Sequence, residues 1–124
     1  MVVDLLADDA QADLVFNALA DVTRRDIVRR SLHREHSVST LARSYPMSFA
    51  AVQKHVAVLE RAGLVTKERR GREQLVRTDI ESVRAAAQFL DRLEELWRDR
   101  LDRIDGILVD DQLTNQPTNQ PRSP

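Results

Sequence analysis

Cysteine is absent from the 124 residues, so the chain can form neither a disulfide nor a thiolate metal site, and redox chemistry gives no clue to its compartment. Aromatic residues amount to 4%. The apolar complement is mostly Leu, Val, Ala and Ile, which suits helices packed on helices with little sheet and makes an enzyme-sized cleft hard to build. A glycine-rich phosphate loop, a nucleophile elbow and a zinc-protease pattern are all missing, so nothing argues for catalysis. No segment approaches the roughly 18 apolar residues of a membrane span. The N-terminus, MVVDLLADDAQ, is acidic and lacks the basic stretch and apolar run of a secretory leader. These absences predict a cytoplasmic protein with no membrane partner. The length predicts one domain over residues 10–111, after a flexible N-terminus at 1–9. A disordered tail is expected at 112–124, where QLTNQPTNQPRSP duplicates TNQP and has no apolar periodicity.

Charge is plentiful but unevenly placed. The net charge is −1, yet Val22 to Arg77 holds thirteen Lys/Arg against five Asp/Glu, a local +8 set between flanks that together carry −9. A positive island in an acidic chain directs a polyanion toward one face, and the acidic flanks oppose indiscriminate association.

The island coincides with a succession of short elements. Ala10 to Leu19 places Ala12, Val15, Phe16 and Leu19 on one helical stripe, and Asp21 ends that helix and caps the next. Val22 to Leu32 buries Ile27, Val28 and Leu32 and turns Arg24, Arg25, Arg29 and Arg30 outward. After a polar connector, Ser37 or Ser39 starts a short helix containing Leu41 and Ala42. It should finish near Tyr45, because Pro46 excludes its predecessor from helical geometry.

Ser48 stands where an N-cap is needed, and the next helix should run to about Ala62 with Gly63 as its left-handed terminator. Val52, Val56 and Leu59, helped by Val58, face inward; Phe49, Ala50, Gln53, Lys54 and Ala57 face outward. Leu64-Val65-Thr66 and Gln74-Leu75-Val76 then predict a hairpin closed by KERRGRE, with Gly71 free to take a positive φ. Lys67, Arg69, Arg70, Arg72 and Arg77 give this wing a cation density that a solvated hairpin does not need. A short helix, a sharp turn, a second helix and a basic wing in that order suit insertion of the second helix into the major groove of double-stranded DNA.

From Ile80 to about Leu108 a long helix is expected, about 43 Å in length, with Leu90, Leu93, Trp97, Leu101, Ile104 and Leu108 spaced by three and four. That stripe outgrows so small a domain and predicts a homodimer seam, with Val15 and Phe16 of the first helix assisting. The expected fold is mainly α with a small β-hairpin, a winged helix-turn-helix with long N- and C-terminal dimerisation helices.

The segments FNALADVTRRDIVRRSL and MSFAAVQKHVAVLERAGLV, followed by the basic wing, resemble the ArsR/SmtB family of bacterial winged-helix repressors over about Val15 to Leu108. Ser48, His55, Leu59, Ala62, Gly63, Leu64 and Val65 carry the likeness, with Ala18-Leu19-Ala20-Asp21 and Thr23-Arg24-Arg25 upstream. The resemblance implies a homodimer that binds an imperfect palindrome, blocks transcription and sits on the nucleoid. It also implies release of DNA by a metal or another ligand, so an unidentified small-molecule inducer is an open partner. The metal part does not carry over. Where thiolate sensors place paired cysteines, this chain has Val38, Ser39, Thr40 and Leu41. Asp79 and Glu81 stand at the start of the long helix, but Ile80 to Leu108 contains no histidine. No metal site and no cofactor is expected.

The expected DNA-binding residues are Ser48, Phe49, Ala50, Gln53, Lys54 and His55 of the reading helix and Lys67, Arg69, Arg70 and Arg72 of the wing. The resemblance alone marks His55, which can buttress the helix or reach a phosphate. His33 and His36 lie in a connector without further ligands, and Tyr45 and Trp97 read as packing residues. Two rival readings stand beside this one: a metal-responsive repressor with non-cysteine ligands at the dimer seam, and a winged-helix scaffold for protein partners.

Overall fold

The structure is a computed structural model and describes residues 8–115, with side-chain surroundings through residue 106. Four successive helices start on an oxygen-bearing side chain that accepts the backbone N–H three residues on. They are α1 (Asp9–Ala18), α2 (Val22–His33), α3 (Val38–Arg43) and α4 (Phe49–Arg61). The acceptors are Asp8 Oδ1 from Gln11, Asp21 Oδ2 from Arg24, and Ser37 Oγ from Thr40, each at 3.0 Å, and Ser48 Oγ from Ala51 at 3.1 Å. Each cap satisfies an otherwise orphaned donor and contributes about 1 kcal/mol. Ser37 rather than Ser39 caps α3, and α1, capped by Asp8, starts at Asp9, one residue before the expected Ala10. With ten residues, α1 is short, not the long N-terminal helix anticipated.

Helix α3 stops at Arg43, ahead of the expected Tyr45, and Met47 N–H bonds to the Tyr45 carbonyl at 2.8 Å to close a tight turn. Helix α4 ends on Gly63 at φ 79°, with Leu64 N–H on the Leu59 carbonyl and Gly63 N–H on the Glu60 carbonyl, both 3.0 Å. That paired arrangement needs a left-handed residue at this position. Two distant side chains hold the same end: Gln11 Nε2 donates to the Ala62 carbonyl at 2.9 Å and Ser82 Oγ to the Gly63 carbonyl at 2.7 Å.

The hairpin strands are longer than expected: β2 (Val65–Arg70) and β3 (Glu73–Thr78), paired from Val65↔Thr78 to Arg70↔Glu73. Gly71, at φ 65°, and Arg72 make the two-residue connection. A further strand, β1 (His36–Ser37), pairs with Val76 and Leu75, so the sheet has three antiparallel strands in the order β1-β3-β2. Two residues are too few for alternation to register, which is why they read as connector.

The core contains Ile27, Leu41, Val52, Val56, Leu59, Leu64, Val65 and Val76, all nearly or fully buried. One inward assignment and one seam assignment change. Leu32 is 46% exposed, because α2 turns Ile27, Val28 and Ser31 inward instead. Val15 is 2% exposed within this core, so it is not available to a dimer seam. Phe16 is half-buried against Phe89, ring centroids 5.3 Å apart.

By its contacts the chain divides after Phe89. The first unit takes in the start of helix α5 (Ile80–Asn115), where Ala85 and Ala86 are buried. The second unit, taken by itself, is the rest of α5. On it Leu90, Leu93, Leu96, Trp97 and Ile104 are 41–54% exposed and Leu101 is half-buried. The helix passes the expected end at 108–111 because neither proline nor a glycine cap intervenes before Pro117. The side chain of Leu108, residues 1–7 of the expected flexible N-terminus and residues 116–124 of the expected tail lie outside the described residues.

Candidate nucleic-acid interface

Helices α3 and α4, with the Pro46 turn between them, leave one side of α4 uncovered among the described residues. Ser48, Phe49, Ala50, Gln53 and Lys54 are all exposed, while Val52, Val56 and Leu59 anchor the opposite side. Phe49 stands out, since a large aromatic left 46% exposed at the first turn of a helix has no packing purpose within this domain. Phe49, Gln53 and Ser39 line a cleft whose other wall is the wing tip, through Arg69, Arg72 and Gln74. Residues up to 35 positions apart thus converge on one concave, polar surface.

The wing cations divide into two groups, a distinction that counting them could not make. Lys67 is ion-paired to Glu60 at 3.6 Å. Arg70 bonds to Glu68 at 2.9 Å and Glu35 at 3.2 Å, and Arg77 lies 3.7 Å from Glu35. The Glu68 bond, reinforced by Glu35, holds the Arg70 guanidinium still more firmly protonated. Arg69 and Arg72 make no ion pair among the described residues and border the cleft.

His55 is placed against α2. Arg24 Nη1 lies 3.2 Å from His55 Nδ1, and Asp21 Oδ2 is 3.9 Å from the same nitrogen. A guanidinium only donates, so Nδ1 must accept and the ring proton sits on Nε2. Arg24 Nε also donates to the Ala18 carbonyl at 2.8 Å, and Nη2 to the Asn17 carbonyl at 3.1 Å. One side chain therefore ties the end of α1 and the start of α2 to the reading helix. The Arg24 backbone N–H, aided by the charge of the Arg24 guanidinium, lowers the Asp21 carboxyl below its usual range. Arg24, which the residue pattern assigned to the outer arc of α2, is the positioning residue that sequence reasoning missed.

A second cluster fixes the end of α3. The Tyr45 hydroxyl donates to Asp26 Oδ2 at 2.6 Å, and Arg30 Nε donates to the same oxygen at 2.8 Å. The Arg30 guanidinium also lies 5.5 Å from the Tyr45 ring centroid. The Tyr45 bond, followed by Arg30, holds the Asp26 acid down. Burial, and then Asp26, push the Tyr45 hydroxyl up. Among the described residues no three His, Asp or Glu side chains converge as metal ligands, and His36 Nδ1 lies 2.9 Å from the Arg34 carbonyl. No helix among them is long and apolar enough to cross a membrane.

A helix pair joined by a sharp turn, with one open helix face beside a basic two-stranded wing, defines a winged helix-turn-helix protein. No protein-family model matches the chain. It is 40% identical over 80 residues to the HTH-type transcriptional regulator Rv2034 of Mycobacterium tuberculosis, covering 64% of this chain and 75% of that one. Its structure is similar to that of an ArsR-like transcriptional regulator from Rhodococcus sp. RHA1, with a TM-score of 0.73 and 34% identity. That match covers 82% of this chain and 95% of the other. The ArsR family transcriptional regulator RHA00566 matches with a TM-score of 0.70 and 30% identity, covering 79% and 97%. The chain belongs to the ArsR family of transcriptional regulators: it is a DNA-binding regulator and not an enzyme.

Proposed function

We propose that the protein is a homodimeric repressor of the bacterial nucleoid that binds a palindromic operator, with α4 of each copy entering successive major grooves. The observation that carries this reading is the cleft in which exposed Phe49 and Gln53 of α4 meet unpaired Arg69 and Arg72 of the wing. Phosphate contacts position a protein on DNA and base contacts specify the site, and the cleft offers one set of each. Gln53 suits bidentate pairing with adenine, Lys54 suits guanine or a phosphate, and Phe49 suits a thymine methyl group. The exposed stripe on α5 supports self-association. An inducer would be a small molecule, and among the described residues no donor set favours a metal.

Equilibrium binding across a salt series, on a duplex selected from the protein's own genome and on random DNA, tests the assignment. Replacing Arg69 and Arg72 together by alanine is expected to weaken both duplexes alike and to lower the log–log salt slope by about two. An unchanged slope would remove the wing from the phosphate contacts. Gln53→Ala is expected to cost about 1 to 3 kcal/mol on the selected duplex alone, at particular base pairs. Equal losses on random DNA would strike it from the readout.

A further inference from the structure

Glu35 follows the last turn of α2 and lies beside β1, with its side chain only 29% exposed. Its two oxygens receive the two ends of the Arg70 guanidinium, Nη1 on Oε1 at 3.2 Å and Nη2 on Oε2 at 3.5 Å. Arg77 Nη1 approaches Oε2 at 3.7 Å. The two-pronged geometry is the one a guanidinium adopts toward a DNA phosphate. A carboxylate of the protein therefore occupies a place that phosphate would otherwise take. Together with Glu68, at 2.9 Å from Arg70, it balances two of the wing's five cations. Exposed ion pairs of this kind add little to stability, so their consequence lies in the field around the wing.

We propose that Glu35 is a specificity-determining residue: it withholds Arg70 and Arg77 from phosphate and leaves Arg69 and Arg72, beside the reading helix, as the wing's grip. The inference rests on the reading of the wing as a phosphate-binding element. Binding to random DNA is almost wholly electrostatic, whereas selective binding adds base contacts that wing charge does not supply. Neutralising the outer wing lowers affinity for all DNA but takes away the larger fraction of the non-specific term. The cost falls on sites where α4 finds no matching bases. Because Glu35 lies 35 residues from Arg70 in sequence, the pairing exists only in the folded chain.

The test is Glu35→Gln in the full-length protein, which keeps the side-chain shape and removes the charge. Fluorescence anisotropy on a random duplex and on the selected duplex, over a salt series, gives both affinities. Random-duplex binding is expected to tighten about five- to tenfold near 0.1 M salt, with a slope steeper by about one to two, as each added phosphate contact requires. The ratio of selective to random affinity should fall. Arg70→Ala in the Glu35→Gln background should remove most of the gain, and Glu68→Gln, which frees the same guanidinium in part, should give a smaller one. Glu81→Gln is the control, since it releases Arg84 on α5 and changes the net charge equally. Random-duplex affinity that is unchanged or weaker in Glu35→Gln overturns the inference, as does an equal gain from Glu81→Gln. Wild-type protein binds the selected duplex in a salt-sensitive way in either case, and its failure to do so would overturn the underlying reading as well.

Discussion

On the proposed homodimer, replacing Leu93 by glutamate and Trp97 by alanine together is expected to yield a monomer while leaving the helix content unchanged. Leu90, Leu93, Trp97, Leu101 and Ile104 follow one another by three and four along α5, which places them on one face of that helix. Trp97 is 53% exposed and Leu93 46%, so about half of each side chain is left uncovered among the described residues. Full burial of each such side chain contributes about 1.5 to 3 kcal/mol, and a two-fold interface counts every residue twice. The glutamate adds a like-charge encounter across the seam. The dimer dissociation constant should therefore rise at least a thousandfold, about 4 kcal/mol. Sedimentation equilibrium reads the mass directly. Affinity for a palindromic operator should fall by about a hundredfold or more as the linkage of two half-sites is lost. A monomeric mass for the wild-type protein at micromolar concentration would overturn the assignment of this stripe to self-association.

Arg24→Met is expected to lower stability by about 2 to 3 kcal/mol, because it strips charge-assisted donors from the Asn17 and Ala18 carbonyls and from His55 Nδ1 at once. In a domain of this size such a loss moves the melting midpoint by about 10 °C or more. Arg24→Lys should recover little of it, since one ammonium cannot serve acceptors that diverge in the way a planar guanidinium does. A purely structural role would show only in the melting curve. Imidazole ¹⁵N shifts of His55 add a second readout: the wild type should display the Nε2–H tautomer, and Arg24→Met should display a mixture. A melting midpoint unchanged within about 2 °C would remove Arg24 from its position as the tie between α1, α2 and α4.

Both results depend on features that differ in how visible they are from the residues alone. The Asp21 and Ser48 caps, the Pro46 stop, the Gly63 terminator and the inward Val52, Val56 and Leu59 were legible because each acts within a few residues of chain. The α5 stripe was legible for the same reason. Strand β1 was not, since two residues carry no period and only Val76 and Leu75 of a distant strand make it a strand. Val15 was legible as buried but not as to what buries it, because a helical stripe does not say whether its cover is the same chain or a second copy. Leu32 failed where one residue of register on α2 decides between Leu32 and Ser31.

The candidate site shows the same division more sharply. Helical spacing alone put Phe49, Gln53 and Lys54 on a single outward face and Val52 and Val56 on the other, because 3.6 residues per turn leaves no alternative once α4 is a helix. Composition alone excluded thiolate chemistry, and the distribution of charge along the chain located the positive island. Which wing cations are free was decided only by the tertiary structure. A pair such as Glu35 with Arg70, or Arg24 with His55, depends on the path of the chain between its members, and separations of 35 or 31 positions carry no local signal of that path. The sequence determined which residues could face DNA; the packing of α2 against the wing and α4 decided which charges and rings are already engaged, since Coulomb and hydrogen-bond partners are chosen by distance in space and not along the chain.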